Sequence, residues 1–148
     1  MNKKRQRVIG TTEEAIAKAE SELGFSFPPS FRSWLLMNNG LDAGGVSIFP
    51  VYEERDARKT WDSIVRNYRV NWTAWLETFA DEEMDAAHLL PFGEFGTGDY
   101  YCFDYSRARA DEEVPVVRWS HETGETEDRA ETFTAFLEML RQGEYKND

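Results

Sequence analysis

Apolar residues near the start of the chain recur at helical spacing. Ile16, Ala19 and Leu23 share one face, Thr11 followed by Glu14 forms a capping box ahead of them, and Gly24 supplies a stop. Proline is tolerated in a helix's first turn, so Pro28-Pro29-Ser30 opens a second helix with Phe31, Trp34 and Leu35 on its apolar face. Asn38-Asn39-Gly40 ends it, because Asn and Gly accept the left-handed backbone of a helix exit. A short apolar run, 46–49, reads as a strand stopped by Pro50. Beyond it, Trp61, Ile64, Val65 and Tyr68 repeat at helical spacing, as do Trp72, Trp75, Leu76 and Phe79. The pattern leaves open whether Val70-Asn71 divides this Trp-rich stretch, 51–85, into two helices. Asp81-Glu82-Glu83 interrupts it with charge.

After residue 87 the texture changes to strands, at 89–92, 100–105 and 114–119. A turn at His121-Glu122-Thr123-Gly124 then returns the chain through 125–129 as a hairpin. Thr132 opens a last helix that buries Phe133, Phe136, Leu137 and Leu140. The order predicts an α+β fold: a mainly antiparallel sheet of four to six strands, with helices packed on one side and the N- and C-terminal helices included. One domain over 11–142 is expected, between a flexible basic tail at 1–10 and a polar end at 143–148.

Composition narrows the class. An apolar fraction of 41% with 14% aromatics supports a folded core despite 30% charged residues. No run approaches the ~20 apolar residues of a membrane helix. Met1-Asn2-Lys3-Lys4-Arg5 is basic with no apolar stretch behind it, so no secretory signal is read there. The lone Cys102 cannot form an internal disulfide, which fits a reducing, cytoplasmic setting. The net charge of −11 is uneven: residues 1–75 carry 11 Lys/Arg against 9 Asp/Glu, and residues 76–148 carry 6 against 19. An acidic half repels nucleic acid and anionic lipid and attracts basic protein surfaces, although acidity also serves plain solubility.

Candidate chemistry is sparse. Cys102 lies in a strand between Tyr101 and Phe103, with nothing local to stabilise a thiolate. His88 and His121 are far apart and lack metal-ligand spacing. The loop holding Gly93, Gly96 and Gly98 leads into a strand rather than a helix, and Glu94 and Asp99 oppose an anion there. Asp99 and Asp104 would lie on opposite faces of a strand, ~16 Å apart at ~3.3 Å per residue, so they cannot share one substrate bond. No catalytic residue, metal ligand or cofactor is therefore assigned. Trp61, Trp72 and Trp75 read as core from their spacing. Trp119 ends a strand beside Arg118 and a turn, where partial exposure would make it an interface anchor.

Several stretches in order carry a resemblance. Gly-Phe-x-Phe-Pro-Pro-Ser-Phe-Arg-x-Trp-Leu (from Gly24 to Leu35) precedes Asn39-Gly40. Leu90-Pro91-Phe92-Gly93, then Gly98-Asp99-Tyr100-Tyr101-Cys102-Phe103-Asp104 and Pro115-Val116-Val117 follow. The chain closes on Ala130-Glu131-Thr132-Phe133-Thr134-Ala135-Phe136-Leu137. The set resembles the Smi/Knr branch of the SUKH superfamily over roughly residues 11–140, departing from it in the Trp-rich middle. The resemblance implies a non-catalytic α+β protein. Bacterial members are regarded as immunity proteins that neutralise toxin domains, often nucleases, and fungal relatives as regulators of cell-wall synthesis.

Two classes of function follow from these readings. As an immunity protein, the chain would meet a basic toxin surface through Asp99, Asp104, Trp119, Glu122, Glu125, Glu127 and Asp128. An interaction regulator or scaffold of the same fold without a toxin partner is the alternative. A small hydrolase would need converging carboxylates in a pocket around residues 93–104.

Overall fold

The computed structural model describes residues 10–79 and 86–143. The basic tail up to residue 9, the Asp81-Glu82-Glu83 interruption and the polar end from residue 144 lie outside the described residues.

Local signals built the first two helices almost as read. Helix α1 spans Glu13–Leu23, buries Ile16, Ala19 and Leu23, and ends at Gly24 in the left-handed conformation with φ 80°. Its cap is Thr12, whose Oγ1 accepts the Ala15 N–H at 3.1 Å. Thr11, the expected cap, is instead buried and donates its hydroxyl to Glu53 at 2.9 Å. Gly10 passes so close to the second helix that a Cβ would come 2.0 Å from the Leu36 carbonyl oxygen. Helix α2, Pro29–Asn38, begins on proline and so lacks a cap of its own. Glu113, far along the chain, fills the role by accepting the Ser30 N–H at 3.0 Å and the Ser30 hydroxyl at 2.7 Å. At the exit Gly40 takes φ 96°, and the Asn39 amide bridges both backbone groups of Val51 at 2.8 Å.

Five strands form one antiparallel sheet in sequence order: β1 Val46–Ile48, β2 Leu89–Phe95, β3 Tyr100–Asp104, β4 Val116–Trp119 and β5 Thr126–Ala130. Each pairs with its chain neighbour, so β1 and β5 are the edges. The α+β class and antiparallel sheet are as expected from the sequence.

The Trp-rich stretch is irregular. After a 3₁₀ turn, Glu54–Asp56, come a single helical turn α3, Ala57–Thr60, and a break at residues 61–63. Ser63 then caps a continuous helix made of α4, Ile64–Arg66, a π-helical stretch, Asn67–Trp72, and α5, Thr73–Thr78. The chain thus runs unbroken through Val70-Asn71 and breaks earlier instead. Because the helix starts at Ile64, Trp61 falls in the break and is 60% exposed, with the Arg66 guanidinium 4.1 Å from its ring centre. The sequence spacing had placed it in the core.

Successive strand side chains alternate between faces, and all five residues of β3 are buried. On one face, Tyr101 meets Phe136 of the last helix, α6 (Phe133–Arg141), at 4.8 Å, and Phe103 meets Phe31 of α2 at 5.1 Å. Phe92 of β2 stacks on Phe103 there at 4.2 Å. On the other face, Tyr100 meets Trp72 at 5.7 Å, and Trp119 of β4 is surrounded by Trp72, Trp75 and Phe79 at 4.9, 5.7 and 5.7 Å. The expected one-sided packing therefore describes α2 and α6, while the π-containing helix covers the opposite face.

Burial separates two tryptophans that the sequence pattern treats alike. Trp72→Ala is expected to lower the stability to urea by ~3–5 kcal/mol, and Trp61→Ala by under ~1 kcal/mol, both measured by equilibrium denaturation. Equal losses would contradict the two-faced packing.

Candidate protein-binding surface

The residues singled out for charge cluster around β3, β4 and β5, yet most already have partners within the chain. Asp99 stands at the entry to β3, where Gly98 takes φ 100° beneath the His121 ring. It accepts the His121 N–H at 3.0 Å and Arg118 Nε at 3.1 Å, and His121 Nδ1 lies 2.5 Å from its Oδ1. Burial alone would raise its pKa, but the bonds from His121 and Arg118 outweigh that and hold the carboxyl below its usual value.

Asp104 at the exit repeats the arrangement with other partners. It accepts the Ser106 N–H at 3.0 Å, the Ser106 hydroxyl at 2.6 Å and Arg107 Nε at 3.0 Å, with His88 Nε2 3.5 Å away. Here too burial pushes the pKa up and hydrogen bonds, led by Ser106, bring it below the ordinary carboxylate value. Both ends of β3 thus carry a buried aspartate held by an arginine and a histidine. The two sit at opposite ends of the strand and converge on no common point.

Arg107 reaches further and ties Asp104 to Asp128 of β5, at 2.7 Å. Glu127 takes Arg129 at 2.8 Å. Trp119, expected to be partly exposed, is 0% exposed because the π-containing helix folds over it, and it cannot serve as a surface anchor. Among the seven candidates, Glu122 and Glu125 at the hairpin tip are exposed and have no basic partner among the described residues. Of the seven, the negative charge left for another molecule therefore lies at that tip.

The countercharges Arg107, Arg118 and Arg129 escaped the sequence reading. Arg107, three residues after Asp104, and Arg129, two after Glu127, lay within local range of a partner, whereas Arg118 meets Asp99 from a different strand. Also missed was a groove of about 760 Å³ between α1 and the π-containing helix, lined in part by Lys18, Tyr52, Arg66, Arg69 and Val70. Tyr52 and Val70 are each about half exposed, off the periodic positions that mark the core.

Burial pushes the Cys102 thiol well above its ordinary pKa, which disfavours the thiolate. Among the described residues no three His, Cys, Asp or Glu side chains are placed to hold a metal ion, and no helix is long and apolar enough to cross a membrane.

A five-stranded antiparallel meander between two helical layers, with an acidic hairpin at one edge, defines an α+β domain. The sequence profile of the SMI1 / KNR4 family (SUKH-1) matches residues 10–139, and the chain belongs to that family. No curated protein matches it.

The two buried aspartates give stability a definite pH dependence. Their folded pKa values lie below the unfolded ones, so the unfolded chain binds more protons as the medium acidifies. The stabilisation is complete above the unfolded value, about 3.9, and is lost as pH falls below it. Asp99→Asn is therefore expected to destabilise strongly near neutral pH and progressively less below about pH 4. Urea melts across that range, followed by tryptophan fluorescence, measure this; a pH-independent difference would refute the ion-paired description.

Proposed function

We propose that this protein is a cytoplasmic, non-catalytic immunity-type protein that binds and neutralises a basic toxin domain. The observation that carries the reading is the exposed pair Glu122 and Glu125 at the tip of the β4–β5 hairpin, acidic and without basic partners among the described residues. Family membership supports it, since bacterial relatives are regarded as immunity proteins. A nuclease toxin must present a basic cleft to bind its substrate, so an acidic tip gains association rate by steering. The buried, unreactive Cys102 fits a reducing compartment.

A regulatory or scaffolding role without a toxin is the second reading. The groove between α1 and the π-containing helix favours it, because Tyr52 and Val70 offer apolar surface remote in sequence from the acidic hairpin.

Mixing the protein with the toxin domain encoded beside its gene tests the first reading. A complex is expected whose association slows as salt rises, together with protection of cells that express the toxin. The double variant Glu122→Lys/Glu125→Lys should associate about ten-fold more slowly while its stability stays within ~0.5 kcal/mol. Absence of both complex and protection would leave the scaffold reading.

A further inference from the structure

We propose that the outer edge of β5 is a docking strand, to which a basic extended segment of the partner adds as a sixth strand of the sheet. The inference rests on the partner-binding reading in one respect only, the basic character of that partner.

The geometry comes from the ladder. Pro115 O accepts the Asp104 N–H on the β3 side, and the Ser120 N–H donates to Glu125 O on the β5 side. Alternation along β4 then turns the backbone groups of Arg118 and Ser120 toward β5 and those of Val117 and Trp119 toward β3. On β5 the groups of Glu125 and Glu127 point inward, opposite Ser120 and Arg118. Those of Thr126 and Asp128 point outward. Among the described residues no strand pairs with that edge, and Thr126, Glu127 and Asp128 are exposed. The Thr126 and Asp128 N–H groups and the Thr126 C=O therefore stand in register, on a strand held rigid from behind by its pairing with β4, while the Asp128 C=O accepts a bond from Arg129 Nη1 at 3.1 Å.

The opposite edge does not compete. β1 has three residues, with Val46 and Ile48 buried and Val46 already bonded back to Ala43. Charge selects the occupant at β5. Glu127 and Asp128 are balanced by Arg129 and Arg107, whereas Glu125 is exposed with no basic partner among the described residues, near Glu122 at the tip. A strand bearing Lys or Arg opposite Glu125 gains an ion pair there, and one bearing Glu or Asp meets like charge. Acidic side chains on an edge also hinder unwanted pairing, and they do so without excluding a basic strand.

The probe is a cyclised β-hairpin peptide whose free edge alternates lysine with threonine and valine, with a glutamate-for-lysine peptide as control. In the ¹⁵N-labelled protein, the Thr126 and Asp128 amides are expected to exchange more slowly when the lysine hairpin is added, while the inward Glu127 amide is unchanged. Thr126→Pro deletes one outward N–H and leaves the inward ladder intact, because proline is tolerated on edge strands. Affinity should fall about ten-fold or more in this variant. The protection pattern in the unaltered protein carries the test even if that variant misfolds. Failure to bind the lysine hairpin, equal binding of the glutamate control, or protection mapped to another surface would each overturn the proposal. A toxin complex that leaves these amides unprotected sinks the edge docking alone; lysine-hairpin protection without any toxin complex sinks only the immunity reading.

Discussion

The rest of the structure depends on burying β3 from both sides. A strand whose five side chains are all enclosed needs two helical layers, and the chain supplies them from separate regions. Helices α2 and α6 provide one, around Phe31, Phe133 and Phe136, and the π-containing helix provides the other, around Trp72 and Trp75. Enclosure has a cost at the ends of the strand, where Asp99 and Asp104 would be desolvated charges without their arginines and histidines. The positions of Arg107 and Arg118, and through Arg107 the anchoring of β5 at Asp128, follow from that need.

This separates two uses of acidity in the second half of the chain. Asp99, Asp104 and Asp128 hold the sheet to its loops, whereas Glu122 and Glu125 face outward. Glu113 belongs with the structural group, since it caps α2 from a loop beyond β3. A count of acidic residues cannot make this division, because only the three-dimensional pairing shows which charges are already satisfied.

Helix faces and strands were legible in the sequence wherever the cause was local. Proline, glycine and hydroxyl signals placed α1, α2 and α6, to within one residue at the Thr12 cap, and short apolar runs bounded by turn residues placed the five strands. Contacts between distant segments were not legible. Trp119 looked exposed because its neighbours in sequence are Arg118 and a turn, while its neighbours in space come from the π-containing helix. Trp61 erred in the opposite sense: its spacing was helical, but Ser63 starts the helix after it. The acidic hairpin was found from charge and turn chemistry, and the free edge of β5 emerged only with the strand order.

The π-helical stretch lets the chain fit an extra residue without losing the buried face of its helix. Its wider turns delay the rotation of the helix, so that Ile64 and Trp72 are both buried while Val70 stays outside. Removing one residue between them would let ordinary α-helical geometry return, at about 100° of rotation per residue. Seven residues would then separate the two and turn about 700°, within about 20° of two full turns, so Trp72 would keep facing Trp119 and Tyr100. The wider turns are thus the way the helix holds one more residue between two buried positions than an α-helix would, with Val70 and Arg69 on the outside where the chain is free to vary.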